Sequence, residues 1–348
     1  MSYTKINTRS PYFVSFTASA NDAILVELRI WNGADGDKPA AAQKTLSKPI
    51  PSTTVTTVDF DISPYINAYI EHTILTDVTG LTATPITEYA RCEVKVYKNT
   101  VLQGAKTEEL IAYKGYGYFE DGMNPVGQAN VMLDEGEYYT LTNQNNGALY
   151  YHEDDASAWT ATYTCLDGTT AAVNVSLNIE NGHIPYITPT HLNNGGSILK
   201  IFKAGALERT FTFREVCEAK YTPLVCDFIN RYGVWQTITF FKVSKSKMTS
   251  TETVFNMMPS SVDYSVSKNI RQTFNTNGQE SIKVNTGWVR EGYSEVIKQL
   301  LLSNTIRLDN KPVVINTKSV DLFTSINERN INYTLDFNYA NNIINTIQ

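Results

Sequence analysis

The chain consists largely of short runs in which apolar and polar residues alternate, and this pattern limits the folds that it can adopt. Runs such as residues 55–60, 90–97 and 173–177 place every second side chain on one side, which is the period of a half-buried β-strand. Turn-forming pairs such as Asn32-Gly33 and Asp167-Gly168 separate these runs. The pattern predicts a mainly β protein.

The length of the chain indicates more than one domain. It has 348 residues, more than one hydrophobic core normally serves, and 42% of them are hydrophobic, enough for several cores. We predict two or three antiparallel β-sandwich-type domains. They are an N-terminal β-sandwich at residues 1–118, a second β domain at 119–218 and a C-terminal β domain at 219–348.

Two segments depart from the strand period. Ser63 can cap a short helix with Pro64 in its first turn, and Ile66 and Ile70 form its apolar stripe. Residues 291–302 predict the amphipathic helix of the C-terminal domain. Its apolar side chains recur at i, i+3, i+4, i+7 and i+8: Tyr293, Val296, Ile297, Leu300 and Leu301. We expect this helix to pack on the sheet of that domain.

The strongest signal for a two-residue hairpin turn is Asn277-Gly278. It lies between the strand-like runs 273–276 and 281–286. We therefore predict a tight β-hairpin at this pair.

Charge and hydropathy argue against two classes of partner. The chain has 29 basic and 35 acidic residues, a net charge of −6, and its densest basic cluster is Lys242, Lys245 and Lys247. These lysines follow a strand-like run and indicate a solvated hairpin edge rather than the basic stripe that nucleic acid requires. No run approaches the roughly 18 apolar residues of a membrane helix. We expect neither a nucleic-acid nor a membrane partner.

The N-terminus imitates a secretory signal but lacks its central element. The apolar patch at residues 12–16 is short, interrupted by Ser15 and preceded by Pro11, so it does not form an h-region. We expect no signal peptide and no export by the general secretory route. The cysteines are too few for a disulfide framework, and we expect free, buried thiols: Cys92, Cys165, Cys217 and Cys226.

Catalytic and metal-binding motifs are missing from the sequence. The four histidines lie in four separate contexts, outside any HExxH or paired-ligand spacing: His72, His152, His183 and His191. The cysteines have no zinc-site spacing. We therefore predict no enzyme, no catalytic residue, no metal site and no cofactor.

Two polar segments allow a metal-binding interpretation. Residues 32–37 resemble half a calcium loop, but Gln43 stands where the final carboxylate would be, so a polar hairpin tip is favoured. Residues 152–155 offer four ligand-type side chains in a row. Neighbouring side chains in a strand or loop point in different directions, so a solvated loop is favoured there.

Acidic pairs and aromatic residues allow a carbohydrate-related interpretation. Two pairs could serve as glycosidase carboxylates, which lie roughly 5–10 Å apart, but charges on β surfaces usually face solvent: Glu108 with Glu109, and Glu135 with Glu137. A Gly-rich loop could form a sugar-binding platform from Tyr113, Tyr116, Tyr118 and Phe119. Packing of that loop on a neighbouring domain or subunit is favoured, because tyrosine suits interfaces.

Three passages of the sequence resemble passages in a known class of proteins. The first comprises residues 218–223, 228–236 and 240–242, the second Gly287-Trp288-Val289 before the helix, and the third residues 314–319 with 332–340. Together they resemble virion proteins of tailed bacteriophages that are encoded among tail genes. The likeness covers residues 216–348 best, with a fainter similarity at 134–139. These are packing and turn residues, so they identify a scaffold and no active site.

The resemblance implies a tail, tail-hub or baseplate component. Such a protein is made in the host cytoplasm and located in the virion, where copies of itself in a ring or collar and other virion proteins are its partners. The charged fraction of 18%, below the roughly 25% of an average soluble protein, fits a surface covered by neighbouring subunits. The alternative is a carbohydrate- or receptor-binding β module at the tail tip or cell surface, with Trp159 as a further aromatic candidate and a glycan as its partner.

Overall fold

A computed structural model describes residues 3–19, 22–50, 56–74, 80–125, 130–141, 147–153, 157–168, 171–188, 195–216, 220–258, 267, 270–321 and 331–344. Most of these residues lie in strands, and the prediction of a mainly β fold is confirmed. In chain order the described strands are β1 (Thr4–Asn7), β2 (Phe13–Ala18), β3 (Ala23–Trp31), β4 (Lys44–Pro49), β5 (Thr56–Asp61), β6 (Thr84–Pro85), β7 (Tyr89–Lys98), β8 (Val101–Leu102), β9 (Glu108–Tyr113), β10 (Gly136–Leu141), β11 (Ala148–His152), β12 (Trp159–Cys165), β13 (Val173–Leu177), β14 (Asn181–Pro185), β15 (Gly196–Lys203), β16 (Ala206–Val216), β17 (Leu224–Ile229), β18 (Trp235–Phe240), β19 (Lys245–Asn256), β20 (Arg271–Asn285), β21 (Ile306–Leu308), β22 (Lys311–Ile315) and β23 (Thr334–Tyr339).

Helical structure is limited. Helix α1 spans Ser63–Asn67 and helix α2 spans Tyr293–Leu301, so both predicted helices are present. In the described part of the chain, no helix is long and apolar enough to cross a membrane.

The chain forms two compact units. The first contains residues 1–217 and 227–238, and the second contains residues 218–226 and 239–348. The predicted division into three domains stays a prediction.

The first sheet of the first unit has the strand order β1-β9-β7-β3-β4, with β8 beside β7. Its alternating strands bury one face: in β3 and β7, Val26, Leu28 and Ile30 lie opposite Val96, Val94 and Cys92. Strands β2 and β5 pair with each other, and their apolar residues share one hydrophobic core with this sheet and with α1. This arrangement is consistent with the predicted N-terminal sandwich.

Strand β9 is buried on both faces. Leu110 and Ala112 belong to the core just described, whereas Ile111 and Tyr113 belong to a second core with β11 and residues 229–235. A continuous apolar run is what a strand between two cores requires.

The remaining strands of the first unit form a five-stranded sheet of order β10-β16-β15-β12-β13 and a three-stranded sheet of order β11-β14-β6. Strand β6 comes from the first predicted domain and β14 from the second. Most pairs are antiparallel, as predicted, but β1 with β9 and β10 with β16 are parallel.

A seven-stranded sheet has the order β18-β17-β21-β22-β23-β20-β19, and its first two strands contain residues of both units. In the second unit, β20 and β23 bury Ile282, Val284, Leu335 and Phe337. Helix α2 buries Tyr293, Val296, Ile297 and Leu300, which confirms four residues of its predicted apolar stripe. Leu301 is half-buried.

The described cysteines confirm the prediction of free thiols. Cys92, Cys165 and Cys226 are buried and unbridged. Burial raises the pKa of Cys92 to about 12, so this thiol stays protonated and unreactive near neutral pH. Cys217 lies outside the described residues.

Leu300→Ala should lower the free energy of unfolding by roughly 2–5 kcal/mol, because Leu300 is fully buried and the truncated side chain leaves a cavity. Urea denaturation measures this loss. Leu302→Ala is the matched control. Leu302 directly follows α2 and is exposed, so its truncation should change stability by less than about 0.5 kcal/mol. Equal effects of the two changes would show that the stripe is not part of the core.

Candidate assembly surface

Strands β19 and β20 form the longest pair of neighbouring strands in the described chain. They pair antiparallel from Lys245 with Lys283 to Asn256 with Arg271. Strand β20 pairs with β23 only over Ser281–Asn285, and the segment after β23 reaches Asn277 and Gly278 through Ile343 and Ile344. Between Arg271 and Asn277, β20 pairs with β19 on one side, and no described strand pairs with it on the side away from β19. Residues 251–256 and 271–276 therefore form a two-stranded ribbon, which we call the arm.

The predicted hairpin at Asn277-Gly278 is wrong, because this pair lies inside the continuous strand β20. A two-residue turn of this type needs positive φ at both residues, and neither Asn277 nor Gly278 has it. Asn275, with φ of 51°, adds one residue to β20 opposite residues 251–253 and forms a bulge. Gly278 has a packing role instead: a Cβ there would lie 2.8 Å from Ile343 Cδ1 and 2.9 Å from Met248 Cε.

The arm is exposed on both faces and carries apolar side chains. Phe255 and Phe274 lie on one face with ring centroids 5.6 Å apart at 70°. Met257, Ile270 and Met258, the last 91% exposed, follow at its outer end. Exposed apolar groups gathered on one element mark an interaction surface rather than isolated surface residues.

The base of the arm is basic. Lys245 and Lys283 lie directly opposite each other, and Lys247 is the next residue on the same face of β19. Asp336 lies 4.0 Å from Lys283 on the neighbouring strand. The prediction of a solvated edge is confirmed for Lys245 and Lys247, because both are exposed in the outermost strand of the sheet. It is wrong for Lys242, which is half-buried and precedes that strand.

The segment that resembles half a calcium loop is a polar hairpin tip between β3 and β4, as predicted. The Asp37 carboxylate accepts a hydrogen bond from the Ala34 N–H at 2.9 Å, and Gln43 Oε1 accepts from the Ile30 N–H at 2.8 Å. Asp35 instead pairs with Arg91 at 2.5 Å. In the described chain, no three His, Cys, Asp or Glu side chains are grouped so as to hold a metal ion.

Arg91 is a buried cation that the sequence analysis missed. Its guanidinium contacts Asp35 and, at 2.6 Å, Glu180, and it lies 4.5 Å from the ring centroid of Tyr3, whose hydroxyl donates to Asp35. Burial and that hydrogen bond raise the pKa of Tyr3 to about 12. The two carboxylates lie 56 and 89 residues away from Arg91 in the sequence, so no local sequence pattern could have predicted these ion pairs.

The acidic pairs are bound to neighbouring groups. Glu108 accepts from the Tyr12 hydroxyl at 3.0 Å, and Glu109 pairs with Lys38 at 3.0 Å. Across β10 and β16, Glu135 accepts from the Thr210 N–H at 2.9 Å, and Glu137 pairs with Arg214 at 2.8 Å. These contacts join sheet elements to one another.

The histidines are separate from one another in role. His152 is buried, and its Nδ1 donates to Asn181 Oδ1 at 2.6 Å, so the predicted solvated loop is wrong at this residue. Nε2 of His72 donates to the Gly233 carbonyl at 2.9 Å. His183 lies in β14 with its Nδ1 buried and without a hydrogen-bond partner among the described residues. Asp154, Asp155 and His191 lie outside those residues.

The aromatic candidates are mostly covered. Tyr113 is fully buried, and Trp159 is buried beneath Lys203, whose Nζ lies 5.3 Å from the ring centroid. Tyr116 and Tyr118 contact each other at 5.9 Å and lie beside Arg9 and Arg231, at 4.8 and 5.6 Å. Phe119 alone of the four loop aromatics is fully exposed.

The Gly-rich loop packs, as predicted, but on the turn at residues 230–233 of its own compact unit rather than on a neighbouring domain or subunit. The Tyr116 N–H donates to the Arg231 carbonyl at 2.8 Å. A Cβ on Gly233, whose φ is 84°, would lie 2.4 Å from the Gly115 nitrogen. Glycine is therefore required at Gly233 for both its backbone conformation and the close approach of the loop.

The sequence matches no protein-family model, and no curated protein is significantly similar to it.

Gly233→Ala should destabilise the protein by clearly more than Gly205→Ala, as measured by urea denaturation. Gly205 has nearly the same φ, 80°, but a Cβ there would meet nothing within 4 Å. The control therefore carries only the conformational cost of about 1–2 kcal/mol, whereas Gly233→Ala also forces the loop away. Equal losses would contradict close packing of the loop.

Acid should destabilise the protein through two half-buried histidines. Burial lowers the pKa of both His72 and His183, and the nearby Glu88 carboxyl opposes this only in part. Because the folded pKa lies below the unfolded value of about 6.5, the free energy of unfolding should be level above pH 7.5 and fall as the pH drops below about 6.5.

Urea denaturation between pH 7.5 and 5.5 tests this expectation. The double variant His72→Gln, His183→Gln should show a smaller fall over the same range. Carboxylates titrate mainly below this window, which keeps their contribution small. An identical pH dependence in the variant would assign the effect to other groups.

Proposed function

We propose that the protein is a structural component of a tailed-phage particle, a tail, hub or baseplate subunit that acts through interfaces between its copies and with other virion proteins. The observation that carries this proposal is the arm. It extends beyond the seven-stranded sheet, is exposed on both faces and carries the aromatic pair Phe255 and Phe274.

Physical chemistry supports an assembly role for such an element. A two-stranded ribbon is marginally stable by itself in water, and six residues at ~3.3 Å each extend ~20 Å beyond the supporting strands. Packing against another subunit removes its apolar side chains from water and supplies the missing stabilisation. An element with this composition is therefore suited to being completed by a neighbour.

The resemblance to tail-gene proteins adds independent support. Some of the residues that carry it lie in β17, β18 and β22, and they include the whole of β23. Many of them are buried, including Phe228, Trp235, Leu335 and Phe337. A shared scaffold of this kind fits a family whose role is to hold a defined shape in a particle. The same proposal includes a homo-oligomeric ring or collar in the virion tail.

The carbohydrate-binding alternative has lost most of its proposed contact residues. Tyr113 and Trp159 are buried, and Tyr116 and Tyr118 are half-buried beside arginines of the same chain. Phe119 by itself provides one exposed ring. We therefore favour assembly over glycan binding.

Phe255→Ser combined with Phe274→Ser should raise the concentration required for self-assembly at least tenfold, because two exposed aromatic side chains no longer bury apolar surface at the interface. Sedimentation velocity across a concentration series measures the change, and circular dichroism verifies that the fold is retained.

Leu207→Ser is the matched control, because Leu207 is an exposed apolar residue in the turn-proximal part of β16. It should leave assembly unchanged. Antibody labelling of purified particles of the encoding phage tests the location directly. Absence of label from the tails, together with a wild-type chain that stays monomeric at high concentration, would overturn the proposed function.

A further inference from the structure

Strand β19 differs from every other edge strand that the structure describes. It has 12 residues, whereas the other sheet edges are formed by strands of six residues or fewer. The opposite edge of the same sheet, β18, is buried along its whole length. The open edge of this sheet is therefore both long and exposed.

Proteins usually protect an exposed edge with proline, a bulge, charged residues or a short strand. Strand β19 contains no proline, and the extra residue of its bulge, Asn275, is on β20, so β19 itself is regular. Its lysines, Lys245 and Lys247, are confined to the base. From Met248 to Asn256 the strand carries one charge, on Glu252. The outer two thirds of β19 thus present unprotected N–H and C=O groups.

The side chains of β19 are complementary to a second copy of the same strand. In a symmetric antiparallel pair, the two-fold axis passes through one residue that faces its own copy, and each side chain stays on its face. With the axis at Thr251, Met248 faces Val254 of the second copy on one side of the sheet. On the other side, Lys247 faces Phe255 of the second copy, a cation–aromatic contact.

The remaining pairs in this register are also compatible. Thr249 faces Thr253 of the second copy, Ser250 faces Glu252, and Thr251 faces its own copy. Each of these pairs brings together two polar side chains. No like charges meet. Cross-strand pairs of these kinds each stabilise a sheet.

Neighbouring registers are poorer. With the axis at Glu252, two carboxylates would face each other directly, which is destabilising. With the axis at Ser250, Met248 would face Glu252. With the axis at Thr249, Val254 and Phe255 would have no counterpart within β19. Thr251 is therefore the favoured centre.

We propose that two copies of the chain pair through β19 as antiparallel strands about a two-fold axis at Thr251. This inference rests on the proposed assembly function and names one partner, a second copy; a two-fold contact joins two copies, so a ring of the chain also uses a different interface. The two seven-stranded sheets would become continuous across the axis, and the arm would gain backbone hydrogen bonds along its length.

Thr251→Cys tests both the partner and the register. Cysteines that face each other across the axis lie within the Cα separation of about 4.4–6.8 Å that a disulfide requires. Mild oxidation of the assembled full-length protein, followed by a non-reducing gel, should yield covalent dimer. Wild-type protein provides the background, since Cys92, Cys165 and Cys226 are buried.

Thr249→Cys is the matched control, a threonine two positions away on the same face. Its copies would be offset by four residues, or ~13 Å at ~3.3 Å per residue, too far for a disulfide. We expect at least tenfold more dimer from Thr251→Cys. The double variant Thr249→Cys, Thr253→Cys should restore cross-linking, because these two positions face each other.

Equal cross-linking of the two single variants would overturn the register. If the wild-type protein assembles while Thr251→Cys gives no dimer, or forms a disulfide with another virion protein only, the pairing of two β19 strands is wrong and the assembly function stands. A protein that neither assembles nor occurs in particles would refute the assembly function itself.

Discussion

Pairing of backbone groups between distant strands is the constraint on which this structure depends. A chain that is mainly β satisfies its N–H and C=O groups only when segments far apart in sequence meet, and each sheet leaves two edges at which pairing stops. Strand β1 therefore lies parallel to β9, more than 100 residues later, and β6 completes a sheet with β14. How the chain treats its edges decides which surfaces remain available to a partner.

Within the first unit, an inner strand has both faces covered. Strand β9 contacts a hydrophobic core on each face, and the loop that follows it packs on the turn at residues 230–233. Gly115 and Gly233 permit that approach because their backbones lie where no side chain fits. The buried Arg91 adds a contact between remote segments, because its guanidinium pairs with the more exposed carboxylates of Asp35 and Glu180.

The second unit has a long exposed edge. The inner strands bury Ile282, Val284, Leu335 and Phe337, and α2 adds a buried apolar stripe. At β19 the pairing stops, and the arm continues with both faces in solvent. A sheet that ends in an exposed strand without protecting residues can pair with a strand of a neighbouring molecule. The proposed assembly role rests on this exposed edge more than on any single residue.

Local patterns were sufficient to predict the fold class, both helices and the polar tip at residues 32–37, because each depends on periodicity or turn chemistry. The small number of cysteines was sufficient to predict free thiols. It misplaced a hairpin at Asn277-Gly278, since the same pair that favours a turn also fits a strand where Ile343 and Met248 pack over a glycine. Three features became visible only in the folded chain: Trp159 and Tyr113 are core residues, Arg91 meets two remote carboxylates, and β19 is an edge. Strand neighbours, long-range ion pairs and sheet edges depend on which distant segments meet, and local sequence patterns carry no information about that choice.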